Sequence, residues 1–409
     1  MKFDEESSIP LEDFFTAYYQ CRLRKRRTVN ALEFEIDYEV NLVKLWRDVN
    51  SRKYEIGKSI CFVVTKPKPR EIFAADFRDR IVHHIVMMRL EPLFEDVFIN
   101  DNYNCRKDKG TLYGVKRLYE QIKECSENYT KNCYVGKFDM QGFFMSIHKP
   151  TLWRMLKEFI EKNYQNNDKS TLLWLAEKIV MHCPQYNCVK KSPATMWNRL
   201  SKNKSLFTCG DEFGLPIGNL TSQCFANFYL HLFDVMIKDE FTYYGRYVDD
   251  FYIVCKDKKK IKQWVKIMAE YLSNKLLVSL HPDKIYIQPY RKGVKFIGSV
   301  VKGNRIYISN STISNAYIII HRFNHNVIFD NIEHIVQSLN SYWGFMKHYN
   351  SYNVKVKIFK NVNYEWFKYI RYNAVKHKFE IRNQFKEHKM ILYYSKRKEV
   401  FCEKFYSFT

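Results

Sequence analysis

The chain has 409 residues, 46% of them hydrophobic, enough to bury a large core in more than one subdomain. Lys and Arg number 67 against 44 Asp and Glu, a formal net charge of +23 with a pI near 9.4. With 30 Tyr and 31 Phe among the cations, that balance points to a nucleic-acid partner. The opening MKFDEESSIP has no apolar stretch and no apolar run approaches 18 residues, which argues against secretion and membrane spanning.

Residues 1–50 read as helical and carry CRLRKRR, five cations in the seven positions from Cys21 to Arg27. SICFVVTKPKPREI (59–72) is an apolar strand running into a basic, proline-stiffened loop, and residues 76–94 have helical spacing. CYVGKFD (133–139) alternates as a strand does and ends on an aspartate. His182, Cys183 and Cys188 read as core residues rather than zinc ligands, and eleven scattered cysteines without a CxxC pair fit reduced thiols in a cytoplasmic protein. After Gly218, NLTSQCFANFYLHLFDVMI has an N-cap in Asn219 and a long apolar face, so a helix is predicted. YYGRYVDDFYIV (243–254) reads as a β-hairpin with Asp249 and Asp250 at its turn. KQWVKIMAEYLSNKLL is helical, and KIYIQ and GVKFIGSVV are strands. From about residue 310 the pattern reads as helix to the end, with 14 Lys and Arg against 5 Asp and Glu over residues 351–409. This order predicts a compact α+β body followed by a helical, basic C-terminal arm.

A turn that places two like charges side by side becomes favourable when a divalent cation sits against them. Taken alone, an Asp-Asp pair is more often a turn or capping element. Asp139 supplies a third acid at a strand end. If its strand neighbours that of Asp249, the two acids could share a pair of magnesium ions ~3.5–4 Å apart, the arrangement of phosphoryl-transfer sites. Between them lies GLPIGNLTSQCFANFYL (214–230), in which Gly214 and Gly218 allow close backbone approach to a nucleotide or template ahead of a helix N-terminus.

In this order the segments resemble a reverse transcriptase, over residues 60 to 350. The resemblance implies a right-hand polymerase: a fingers–palm antiparallel sheet with packed helices, then a helical thumb. It divides the chain into an N-terminal helical basic extension (1–58), fingers (59–132), palm with a fingers insertion (133–309), and thumb with a basic arm (310–409). KPKPREI and RDRIVHHIV look like fingers segments and would set Lys66 and Arg70 against the incoming triphosphate; NYNCRKDKGT is similar to the next fingers motif. KFDMQGFFMSI resembles the first carboxylate motif, implying Asp139 and the Met140 carbonyl as metal ligands. It implies Phe144 as the steric gate that excludes a 2′-OH, with Phe143 facing the core. YVDD would supply Asp249 as the second shared ligand and Asp250 as a supporting acid. Lys284 in LHPDKIYIQ and the loop residues Ile217 and Gly218 would lie at the nucleotide. Phe296, Ile297 and Gly298 would form the primer grip. The implied cofactor is two Mg²⁺ ions, with Mn²⁺ as substitute. The implied partners are template RNA, primer or cDNA, and dNTPs.

Ile217-Gly218 followed by Ser222-Gln223 is similar to the reverse transcriptases of diversity-generating retroelements. These copy a template-repeat RNA into cDNA with errors concentrated at template adenines, beside a small basic oligomeric accessory protein. A glutamine in place of Ile217 would offer hydrogen-bonding groups near the nascent pair, whereas isoleucine offers none. NAVKH (373–377) matches a retron-like string but lies far C-terminal of where retrons carry it, and there is no VTG triplet. A phage-defence or other bacterial retroelement enzyme and a catalytically silent RNA-binding scaffold are the alternative readings. A nuclease with paired metals leaves GLPIG and Phe144 without a task.

Overall fold

The computed structural model describes residues 8–23, 28–65, 68–325, 332–349 and 351–383. Lys66, positions 24–27 of the basic run and the arm from 384 onward lie outside the described residues. The strands among them are β1 (Ser59–Val64), β2 (Arg70–Ala74), β3 (Tyr134–Asp139), β4 (Cys188–Lys190), β5 (Tyr243–Tyr247), β6 (Asp250–Cys255), β7 (Tyr286–Pro289), β8 (Val294–Phe296), β9 (Ser299–Lys302), β10 (Arg305–Ile308), β11 (Ile370–Asn373) and β12 (Lys378–Ile381). Helices and small sheets alternate, so the fold class is α+β as expected.

The contacts divide the chain into two compact units, Met1–Gly114 with Gly136–Ile287, and Val115–Val135 with Gln288–Thr409. In the first, apolar positions at helical spacing build the core. Phe14, Ala17, Tyr18 and Cys21 recur at i, i+3, i+4 and i+7 and are all buried. The helix Phe77–Val97 starts where the Asp76 side chain accepts from the Arg78 N–H at 3.0 Å, and it buries Phe77, Ile81, Val82, Ile85 and Leu90. Its Asp79 is buried and accepts from the Tyr54 hydroxyl at 2.8 Å and the Gly57 N–H at 2.9 Å.

Two sheets matter for the site. One has the order β2–β1–β4, with β1 and β2 antiparallel and β4 parallel to β1. The other has the order β5–β6–β3–β7. β5 and β6 pair from Tyr243 opposite Val254 to Tyr247 opposite Asp250, leaving Val248 and Asp249 as a two-residue turn. The primed turns that suit such a hairpin need a positive φ, and Val248 supplies it at 59°.

The second unit joins the antiparallel sheet β10–β9–β8 to the helices Asn310–Asn324, Ile332–Met346 and Tyr352–Lys360. Its core holds Ile335, Met346, Trp366, Ile370 and Phe379. Here the structure corrects the sequence reading, which carried helix from residue 310 to the end. β11 and β12 form a hairpin instead, with Tyr372 opposite Phe379. Asn340, on a helix, reaches that hairpin as a further strand would: its amide donates to the Phe379 carbonyl at 2.8 Å and its oxygen accepts from the Phe379 N–H at 2.7 Å. The hairpin is short and rich in cations, so the alternation of its buried residues is hidden from a window long enough to reveal a helix. No helix among the described residues is long and apolar enough to cross a membrane.

Candidate active site

β3 lies between β6 and β7, and this places its terminal Asp139 beside the β5–β6 turn. Main-chain bonds fix the junction from both sides. The Met140 N–H donates to the Asp249 carbonyl at 3.2 Å. On the other flank the His281 N–H donates to the Asp139 carbonyl at 2.8 Å, and the Gln141 N–H donates to that of Ser279 at 2.9 Å. Asp139, Met140 and Asp249 are therefore set by backbone geometry before any side chain is considered.

The side chains around them alternate in charge. Lys284 Nζ lies 2.5 Å from Asp139 Oδ1, and Lys137 Nζ lies 2.7 Å from Asp250 Oδ1. Burial raises the carboxyl of Asp249 above the usual carboxylate range and the charge of Asp139 adds to the rise, while Arg70 and Lys284 oppose it. Asp250 is pushed up to about 6, mainly by burial, with Lys137 opposing and Asp249 and Asp139 adding. Arg70, the first residue of β2, is exposed and near enough for its charge to act on Asp249 and on Tyr247.

A buried ionic network holds the turn from behind. Arg246 on β5 is fully buried; its Nε and Nη2 donate to the Asp234 carboxylate at 2.7 and 2.5 Å. The Tyr244 hydroxyl donates to the same carboxylate at 2.6 Å. Nη1 of Arg246 donates to the Val248 carbonyl at 2.9 Å, the residue immediately before Asp249. Next to it, Gly245 leaves room for two tyrosines: a Cβ there would come within 2.6 Å of Tyr252 Oη and nearer still to Tyr103 Oη. Those two hydroxyls are themselves 2.9 Å apart.

The loop GLPIG packs against β2. The Phe73 N–H donates to the Ile217 carbonyl at 2.8 Å. Gly218 has φ 127°, and a Cβ there would lie 2.8 Å from the Phe73 carbonyl oxygen, so a side chain is excluded by both torsion and space. Asn219 stands at the N-cap of the helix Leu220–Tyr229, but its side chain accepts from the Ala75 N–H at 3.2 Å and makes no cap bond. Phe144 and Ile217 both pack, partly buried, on one small cluster around Cys61, Phe73, Met145 and Leu206. The Leu215 N–H donates to the Phe144 carbonyl at 2.8 Å and joins the loop to the segment after Asp139. Phe143 is buried, as expected.

Asp139, Asp249, Lys284 and Arg70 thus converge, and Asp250 joins through Lys137. Phe144, Ile217 and Gly218 gather beside β2. In the second unit Phe296 is buried, and Ile297 and Gly298, with φ of 44° and 79°, form the turn between β8 and β9. Lys66 is outside the described residues. Sequence reasoning missed Lys137 and Arg246. Lys137 had a signal, because it stands two residues before Asp139 and so on the same face of β3. Arg246 had only its place inside an apolar strand.

The donor set fits a divalent cation. Asp139 and Asp249 stand at adjoining strand ends, where burial and the charge of Asp139 both raise the carboxyl of Asp249. Among the described residues no three His, Cys, Asp or Glu side chains close a metal site by themselves.

Protein YkfC of Escherichia coli (strain K12) is 22% identical over 302 residues, covering 66% of this chain and 71% of its own. Among solved structures, apo telomerase from Candida tropicalis gives a TM-score of 0.46 at 11% identity, over 77% of this chain and 58% of that one. Telomerase from Candida albicans in complex with a fragment of telomeric RNA gives 0.44 at 13% identity, over 76% and 58%. The chain spans a little over half the length of these telomerase chains. The family described as reverse transcriptase (RNA-dependent DNA polymerase) matches residues 64–301, more than half of the sequence, and the chain belongs to that family.

Proposed function

We propose that this chain copies RNA into DNA with low fidelity, as the reverse transcriptases of diversity-generating retroelements do, and that Asp139 and Asp249 are its metal-binding acids. The observation that carries the reading is the bond from the Met140 N–H to the Asp249 carbonyl, which holds two acids at neighbouring strand ends where one charge acts on the other. Asp139, Asp249 and the Met140 carbonyl would hold Mg²⁺ or Mn²⁺, which when bound lowers the pKa of the primer 3′-hydroxyl and neutralises charge on the leaving pyrophosphate. Lys137 holds Asp250 ionised and in place as a supporting acid. Arg70 and Lys284 approach the triphosphate as cations. Phe144 bears on the sugar and rejects a 2′-OH. The turn Phe296–Gly298 guides the primer.

Ile217 carries the low-fidelity part of the reading. Its side chain packs on Phe73 and the neighbouring cluster and presents no donor or acceptor, so a misaligned pair leaves no protein hydrogen bond unmade. The accessory protein, the template-repeat RNA and the division into fingers, palm and thumb belong to the same proposal. Primer extension on RNA with dNTPs and magnesium tests it. Asp249→Asn is expected to abolish extension, and survival of wild-type activity would reject the assigned roles. Ile217→Gln is expected to lower misincorporation opposite template adenine, and an unchanged error spectrum would reject the diversity-generating reading while leaving the polymerase.

A further inference from the structure

The second unit carries an open cleft of about 1100 Å³ that the polymerase chemistry does not use. One face of the β8–β9–β10 sheet forms its floor. Lys295 pairs with Val300 and Val300 with Tyr307, so the three stand in one row across the strands and point to one side. Lys302 on β9 and Arg291 add cations along the rim, and no lining residue is acidic. Tyr307, on the edge strand β10, is 46% exposed and offers its ring to the cleft.

The wall opposite is aromatic as well. The rings of Tyr129 and Tyr290 are 6.0 Å apart, and Arg291 lies 5.7 Å over the Tyr290 ring. The Tyr290 hydroxyl donates to the Tyr129 carbonyl at 3.3 Å. Tyr129 reaches this position through three successive residues with positive φ, Glu127 at 50°, Asn128 at 56° and Tyr129 at 70°. Non-glycine residues seldom hold this conformation, and such strain is more often kept at working surfaces than elsewhere. At the far edge the helix Asn310–Asn324 begins, with Asn310 and Ser311 lining the cleft.

We propose that this cleft binds a single-stranded stretch of RNA, its bases stacking on Tyr307 and on Tyr129, which the buried Tyr290 supports from behind, and its phosphates meeting Lys302, Lys295 and Arg291. Cations without acids select a polyanion, and flat side chains on a sheet select one whose bases are turned outward. A duplex keeps its bases inside and offers nothing to Tyr307. The cleft is built from residues of the second unit alone, whereas the carboxylates belong to the first.

Binding of a fluorescein-labelled 12-nucleotide RNA to the full chain tests this by anisotropy, with no nucleotide or divalent metal present and an excess of unlabelled hairpin duplex added. The expected result is that the strand still binds, that Tyr307→Ala and Lys302→Glu each weaken it about 10-fold, and that Tyr307→Phe binds as wild type. Unchanged thermal melting of the variants separates these effects from misfolding. Wild-type affinity in Tyr307→Ala, or full displacement of the strand by duplex, would overturn the proposal. Because the measurement needs no catalysis, its failure leaves the polymerase reading intact, and loss of extension in Asp249→Asn leaves this one intact.

Discussion

Arg246 donates to the carbonyl of Val248 at 2.9 Å, so a fully buried guanidinium determines where the main chain enters Asp249. Val248 holds a left-handed φ of 59°, unfavourable for a β-branched residue, and the bond from Arg246 opposes its relaxation. Removing Arg246 does two separable things. It leaves the Asp234 carboxylate buried without its counter-charge, a loss of about 3–5 kcal/mol, and it frees the turn. Arg246→Met should therefore unfold at lower urea. Arg246→Met with Asp234→Leu should recover most of that stability, yet still show a reduced kcat with KM for dNTP little changed. A double variant as unstable as the single one, or one with normal kcat, would contradict the assignment of Arg246 as a positioning residue.

Lys284 Nζ lies 2.5 Å from Oδ1 of Asp139, a carboxylate proposed to hold the metal ion. The ammonium and the ion are then competitors before nucleotide arrives. Once a triphosphate is present, the lysine has a second anion to turn to. Lys284→Met is expected to bind Mn²⁺ more tightly without nucleotide, about 5-fold by electron paramagnetic resonance titration, and to extend primers more slowly. Equal Mn²⁺ affinity in both proteins would show that the ion pair does not compete.

Phe144 is held by its own main chain, whose carbonyl accepts from the Leu215 N–H, and by the cluster it shares with Ile217. Truncation should leave the backbone in place while opening space at the sugar. Phe144→Ala is expected to reduce discrimination against ribonucleotides by about 10- to 100-fold, measured as the ratio of kcat/KM for dNTP and rNTP on one primer–template. Because the side chain is only partly buried, melting should change little. A ratio that stays constant would remove Phe144 from sugar selection.

How much of this was legible in advance follows from distance along the chain. Asp139 and Asp249 each end or adjoin a strand whose alternation is local, so their place at strand ends could be read from a few neighbours. Their adjacency could be expected only through the order of the motifs. The Arg246–Asp234 pair spans twelve residues and a change from helix to strand, and nothing near Arg246 marks it as buried rather than exposed. The segment 184–213 carried no clear pattern. It is anchored through Glu71, which accepts from the Ser205 hydroxyl at 2.6 Å and the Leu206 N–H at 2.8 Å, a contact visible only in three dimensions. The C-terminal hairpin was lost for the opposite reason, since its local composition of aromatics and lysines suits a helix equally well.

His83 gives the fold a pH dependence with a definite sign. It is buried, with Nδ1 2.6 Å from Thr221 Oγ1, and this contact ties the helix Phe77–Val97 to the helix that follows Gly218. Burial lowers it to about 3, and the charges of His182, His84 and Arg80 act in the same direction. His182 is itself lowered to about 4, by burial and by Lys149 and Lys178. Both imidazoles are therefore neutral in the native state over a range where the unfolded chain takes up protons. Stability from this source is complete above the ordinary histidine value of about 6.5 and is lost as pH falls towards the native values. At about 1.4 kcal/mol for each unit, the His83 displacement is worth on the order of 5 kcal/mol once pH has fallen to the native value. Urea unfolding from pH 7.5 to 4.5 should show stability falling with acidification below about 6.5. His83→Gln, which keeps an amide near Thr221 but cannot titrate, should start less stable and fall less steeply by about one proton's slope. Parallel profiles would mean that His83 is protonated as readily in the native protein as in the unfolded chain, and the contact to Thr221 would then have to survive with a charged ring.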